Sequence, residues 1–247
     1  MIRTLLLTTA ALLTALPLQA NPLQELRETL TRLAGSAPLK ATVQIKSEGR
    51  SQDGDETETN TGLASVQLED GPQGLRLSYA QAALSKAAQE EAVRATNPKA
   101  PTPTASGLRS LGYSDMRDLA RAADNLRRDL ATAQLKSERS EPWQGQPARV
   151  LVFDVPQPKK DKYIKKFEST LEVWLAADGT PLASKARQKM EGSAFVVISF
   201  EIQNSEEQVF SVIGDRLVAT RRTTTNSGSG AGQKGSDKRE YLLQPIS

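Results

Sequence analysis

The chain has 247 residues, 32 lysines and arginines against 29 aspartates and glutamates, and neither cysteine nor histidine. Those two absences exclude disulfides, thiolate chemistry, Ser-His-Asp triads and almost every zinc site. A formal charge of +3 is too mild to imply nucleic acid, and 4 % aromatic residues are too few for a stacking surface, so no cofactor, metal or nucleic-acid partner is expected.

Residues 1–20, MIRTLLLTTAALLTALPLQA, begin with Arg3, continue through an uncharged run from Thr4 to Leu16, and end on the small Ala20. This is the pattern of a secretory signal peptide cleaved after Ala20, and the run is too short to span a bilayer as a helix. The expectation is an exported, periplasmic chain forming one domain over residues 21–247, held together by its core alone.

Asn21-Pro22 supplies an N-cap and an N1 proline, and Leu23, Leu26, Leu30 and Leu33 follow at helical spacing, with Gly35 placed to close the helix. Lys40 to Lys46 alternates as a first strand with Ala41, Val43 and Ile45 inward. The polar stretch Ser51 to Thr61 is expected to be an exposed connection, and a second strand places Ala64, Val66 and Leu68 on one face. Gly71-Pro72-Gln73-Gly74 turns the chain into a short third strand through Leu75, Leu77 and Tyr79. An alanine-rich helix from Ala80 to Ala95 has little large apolar surface, and residues 96–106, with three prolines, form an internal Pro/Thr-rich linker.

The next segment predicts one helix from Ser114 to Thr132, capped by Ser114, with Met116, Leu119, Ala123, Leu126 and Leu130 as its apolar stripe. Period two then returns in Leu135 to Glu141 and Arg149 to Val155, joined by Pro142-Trp143-Gln144-Gly145. A long meander over Leu171 to Ile213 is punctuated by Asp178-Gly179 and Glu191-Gly192, and its Phe195 to Ile202 strand is apolar on both faces. Arg216 to Thr225 is a further strand, Asn226 to Asp237 a glycine-rich loop, and Lys238 to Leu243 a returning last strand. About ten strands and two or three helices make an α+β pattern dominated by antiparallel sheet.

Chemistry-bearing patterns are sparse. Asp53-Gly54-Asp55-Glu56 lacks the spacing and final glutamate of a calcium loop. Gly230 to Gly235 matches Gly-x-Gly-x-x-Gly, but no helix follows to offer its N-terminus to a phosphate. Lys159, Lys160, Lys162, Lys165 and Lys166 surround a single acid, Asp161, with Tyr163, Ile164 and Phe167 among them. Such a strap suits either a solvated linker or contact with an anionic membrane surface.

The leucine-faced first helix, three strands, central helix and long meander, with Leu171-Glu172-Val173-Trp174-Leu175-Ala176-Ala177-Asp178-Gly179-Thr180-Pro181 and the strand ending at Arg187, resemble the outer-membrane lipoprotein-sorting (LolA/LolB-like) superfamily. The resemblance implies an antiparallel sheet curved as a half-open barrel, helices lidding an apolar cavity, carriage of lipoprotein acyl chains or lipid, and no catalysis. Val66, Leu77, Met116, Leu126, Phe200 and Phe210 are then the ligand-binding candidates. Gly71 stands before Pro72 where the family's carriers place a basic residue, with Arg76 further on, so the carriers' arginine has no counterpart here. The alternative is a structural or regulatory partner-binding protein of the cell envelope. The two differ in whether those six residues line a connected cavity or a filled core.

Overall fold

Strand alternation decides which residues meet the helices. The computed structural model describes residues 21–157, 159, 161–194 and 198–246. The expected signal peptide, Lys160 and residues 195–197 of the strand predicted to be apolar on both faces lie outside them. The elements are α1 (Pro22–Arg32), β1 (Leu39–Asp53), β2 (Glu56–Gly71), β3 (Gly74–Ser78), α2 (Gln81–Thr96), α3 (Pro103–Arg109), α4 (Tyr113–Ala120) and α5 (Ala122–Asp129). Seven strands complete the chain: β4 (Gln134–Trp143), β5 (Gln146–Asp154), β6 (Ile164–Leu175), β7 (Pro181–Ala194), β8 (Ile198–Ile213), β9 (Arg216–Gly230) and β10 (Gln233–Pro245). They form one antiparallel sheet in the order β3-β2-β1-β10-β9-β8-β7-β6-β5-β4. Among the described residues, only the β1–β10 pairing joins strands distant in sequence, and the outer strands β3 and β4 are not paired with each other, so the sheet is not closed.

In β1 the inward positions are Leu39, Ala41, Val43 and Ile45, all buried. Their cross-strand neighbours Val66 and Leu68 of β2 and Tyr241 and Leu243 of β10 continue the same face. Across the sheet Phe210, Val173, Leu171, Leu151 and Phe153 complete it, and α1, α4 and α5 cover it with Leu26, Leu30, Met116, Leu119 and Leu126. Each such leucine or methionine contributes about 1.5 to 3 kcal/mol on burial, which is why these short helices dock although none is long enough to be stable alone. On the opposite face a small cluster forms around Trp143 and Trp174, whose ring centroids are 5.5 Å apart, with Val150 and Ala183 beneath them.

Asn21 caps α1 as expected, its side chain accepting from the Leu23 amide at 3.0 Å. Gly35, however, does not close the helix, which ends at Arg32 with Leu33 as its C-cap. A Cβ on Gly35 would collide with Asp215, so glycine is required there for a close approach between the α1 exit and the β8–β9 turn. The Asp215 carboxylate accepts from Ala37 at 2.8 Å and Ser36 at 3.2 Å, which fixes that exit.

Five other expectations change. Ser51 to Thr61 is not a loop: β1 and β2 stay paired as far as Asp53 and Glu56, leaving Gly54 and Asp55 at the tip. The glycine-rich Asn226 to Asp237 is likewise strand, turning only at Ala231-Gly232, because its Asn, Ser and Gly residues complete ladders on both flanks. Glu191-Gly192 is not a break but lies inside β7, where Gly192 makes room for the Phe200 ring and the Tyr163 carbonyl. The single helix over Ser114 to Thr132 is two, α4 and α5, which part at Arg121 (φ −125°, ψ 55°), and the residue before α4 is Gly112 rather than Ser114. The linker is shorter than expected as well, since α3 occupies its second half with Thr104 to Gly107 buried.

Candidate functional site

Beyond the helices the same face of the sheet changes character. After Ile45, the inward positions of β1 are Ser47, Gly49 and Ser51, and register carries the change across the strands. Asn60 of β2 faces Gly49, Gly49 faces Asp237 of β10, Asp237 faces Asn226 of β9, Asn226 faces Asn204 of β8, and Asn204 faces Gln188 of β7. The row is therefore mostly amides, and Asn204 donates to Gln188 at 2.9 Å. One position further out, Gly235 pairs with Gly228 and Gly228 with Ile202.

This floor opens into a cleft of about 1090 Å³. One wall is Glu56 to Thr61 of β2, and the roof is the segment from Pro98 to Thr102 that joins α2 to α3. The roof is anchored. Arg94 donates to the Thr102 hydroxyl at 3.2 Å, Thr102 and Ser106 share a hydrogen bond of 3.3 Å, and Ser106 donates to Asn60 at 3.3 Å. One turn earlier on α2, Glu90 accepts from the Thr104 and Ala105 amides at 2.8 and 3.0 Å. Burial opposes ionisation of Glu90, but those first-turn amides outweigh it and hold the carboxyl below its ordinary value. In the floor, Asp237 Oδ1 and Arg239 Nε are 2.8 Å apart, charge-paired but without hydrogen-bond alignment, and neither atom has another partner among the described residues.

The six ligand-binding candidates do not converge on this cleft. Val66, Met116, Leu126 and Phe210 are buried together in the core under the helices, and Leu77 packs against that core. Phe200 sits apart from them near the far end of β8, opposite Gly192 and Gly230. None of the six lines the cleft, nor a second one of about 1070 Å³ between α1, the β4–β5 hairpin and the β6–β7 loop. Of the lysine strap, Lys159, Lys162 and Lys165 are exposed and make no ion pair among the described residues, whereas Lys166 approaches Glu168 at 3.0 Å. Tyr163, beside them, is exposed, with Lys162 over its ring at 4.9 Å.

The polar cleft was not among the expectations. Its signal is present in β1, where the inward positions pass from Ile45 to Ser47, Gly49 and Ser51 without a break in the period of two, and the partner strands continue it at Asn226 and Gly228 of β9 and at Asp237 and Gly235 of β10. No family model, curated protein or solved structure matches the chain.

Proposed function

We propose that this is a non-catalytic binding protein of the cell envelope that engages a partner on the open, polar end of its helix-bearing sheet face. The observation that carries this reading is the closure of the apolar region. The residues an acyl-chain cavity would require, Val66, Met116, Leu126 and Phe210, are 0 to 6 % exposed in a common core, while the accessible volume lies over amides and glycines. Carriage of lipoprotein acyl chains or lipid requires α1, α4 and α5 to leave that core, and the ion pairs at Asp70 work against it. Export to the periplasm, and a sheet curved as a half-open barrel about its helices, belong to the same proposal. So does contact of the lysine strap with an anionic membrane surface, supported by the exposed Lys159, Lys162, Lys165 and Tyr163.

Titration of the purified chain with a long-chain fatty acid carrying a terminal fluorophore tests the choice. The partner-binding reading expects no saturable rise in emission. A stoichiometric rise reversed by unlabelled fatty acid overturns it in favour of an apolar-ligand carrier.

A further inference from the structure

The polar cleft runs beside an incomplete strand pairing. We propose that it is a strand-addition site, in which an extended, uncharged polypeptide segment of a partner protein lies along Glu56–Thr61 of β2. This rests on the partner-binding reading and specifies the partner's chemistry.

β2 pairs with β1 along its whole length but with β3 only from Gln67 to Gly71. α3 seats on Gly62 to Ala64, where Gly107 meets the β2 backbone. Glu56 to Thr61 is thus left, among the described residues, without a partner on its outer side. In an antiparallel strand alternate residues turn their N–H and C=O groups toward each flank, so this segment offers main-chain donors and acceptors to whatever lies beside it. All six consecutive residues line the cleft, including those whose side chains point to opposite faces, so the cleft meets β2 along its edge. Six residues of strand extend roughly 20 Å, at about 3.3 Å each.

The floor is consistent with a close-lying main chain. Gly49, Gly228 and Gly235 point inward, yet a Cβ on any of them would meet nothing nearer than 3.6 Å. Neither a positive φ nor crowding within the fold accounts for glycine at these places. Glycine inside a strand commonly marks where another backbone approaches, and these three leave the space above the floor clear. Asn60, Asn204 and Asn226 add side chains that both donate and accept, as peptide groups require.

Charge narrows the occupant. Around the cleft Arg50, Arg94 and Lys99 balance Glu56, Glu58 and Asp237, so there is no net field for an ionic ligand. A second copy of this chain pairing through the same edge about a two-fold axis centred on Thr57 would set Glu56 opposite Glu58 of the copy, a like-charge arrangement that disfavours that self-pairing. An uncharged segment of another protein meets neither obstacle.

The test is selection of linear seven-residue peptides lacking charged side chains from a displayed library, on the full chain, followed by binding to Gly228→Val. The added Cβ meets only ordinary contacts, nothing nearer than 3.6 Å, and valine suits a strand, so the variant should melt no lower than the parent. Gly49→Ala serves as the second floor variant should the valine unfold the sheet. The expected result is enriched peptides that bind at least tenfold more weakly to the floor variant and slow amide exchange in Glu56–Thr61. Absence of enrichment, equal binding to the folded floor variant, protection elsewhere, or binding of uncharged oligosaccharides in place of peptides would overturn the proposal. The partner-binding reading itself fails separately, on uptake of the fatty-acid probe into the core.

Discussion

Arg121 grips Asp70 with two donors, Nε to Oδ2 at 2.8 Å and Nη2 to Oδ1 at 2.7 Å. The guanidinium comes from the break between α4 and α5, and the carboxylate lies near the end of β2, fully buried, so a single contact ties the helix pair to the sheet. Arg216 at the start of β9 adds a third bond to Oδ2 at 2.7 Å. Arg216 is itself buried, and its Nε has no hydrogen-bond partner among the described residues. Asp70→Asn should therefore leave an uncompensated buried cation and cost about 3 to 5 kcal/mol. Urea denaturation measures it, and a loss below about 1 kcal/mol, the range of surface ion pairs, would show that the contact does not tie the elements together.

The same contact makes stability acid-sensitive. The Arg121 hydrogen bonds hold the Asp70 carboxyl below its ordinary value of 3.8, against the opposing effect of burial and with help from Arg216. A depressed folded pKa contributes stability that is fully present above the unfolded value and is lost as pH falls through the folded one. The parent should thus lose stability on acidification below about pH 4, while Asp70→Asn, already destabilised, shows a shallower decline there. Parallel melting curves for the two proteins in that range would contradict the assignment.

Much of this arrangement was legible in the sequence, and the parts that were not share a cause. Leu26 and Leu30, the alternation through Ile45 and Val66, and the Asp178-Gly179 turn follow from local periodicity and turn chemistry, which neighbouring residues decide. The strand from Asn226 onward follows from its neighbours across the ladder. Its Asn and Gly residues have weak strand preference, and β8 and β10 impose the conformation by pairing on both sides. The α4–α5 break has the same origin, because Arg121 leaves helical geometry at the point where its side chain reaches an aspartate 51 residues away. Pro98 to Thr102 shows only proline-rich composition until Arg94 pins Thr102 from α2 and Glu90 holds the turn that follows at Thr104. The candidate site was hidden for a related reason. Its walls come from segments that look like loops when their partners are unknown.

Asp129 works in the opposite direction to Asp70. The residue as a whole is exposed, yet surrounding protein crowds its carboxyl, and Glu206 and Asp118 add negative charge, together raising its pKa to about 6. A carboxyl raised above its unfolded value destabilises the fold when ionised, and that cost is relieved as pH falls through about 6. Asp129→Asn should accordingly melt higher than the parent at pH 7.5, with the difference narrowing toward pH 5. An unchanged gap across that interval would show that solvent screens the group.

The lysine strap gives a membrane prediction independent of the cleft. Each lysine near an anionic surface contributes about 1 kcal/mol at low salt and less as screening shortens the field. Replacing Lys159, Lys160, Lys162, Lys165 and Lys166 by glutamine should abolish co-sedimentation with phosphatidylserine vesicles at low salt while leaving the melting temperature in place. Equal sedimentation of parent and variant would assign the strap to solvent.

Gly107 tests how α3 closes the edge of β2. A Cβ there would stand 2.6 Å from the Leu63 carbonyl carbon and 2.8 Å from the Leu63 and Ala64 nitrogens, and backbone atoms cannot rotate away as a side chain does. Gly62 on the facing strand has the converse constraint, its own Cβ position lying 2.9 Å from the Gly107 nitrogen. Alanine favours a helix by about 0.8 to 1.0 kcal/mol over glycine, but overpacking costs about 1 to 3 kcal/mol and more against rigid atoms. The collision should win, because the added carbon meets backbone, so Gly107→Ala is expected to lower stability by up to about 2 kcal/mol on those two figures. It should also loosen α3, break the Ser106 to Asn60 bond and speed amide exchange through Thr104 to Gly107. The same substitution at Gly228, where the added carbon meets only ordinary contacts, should be neutral or stabilising by up to about 1 kcal/mol. If both variants respond alike, the close seating of α3 on β2 is wrong, and with it the limit that α3 sets on the free edge at Thr61.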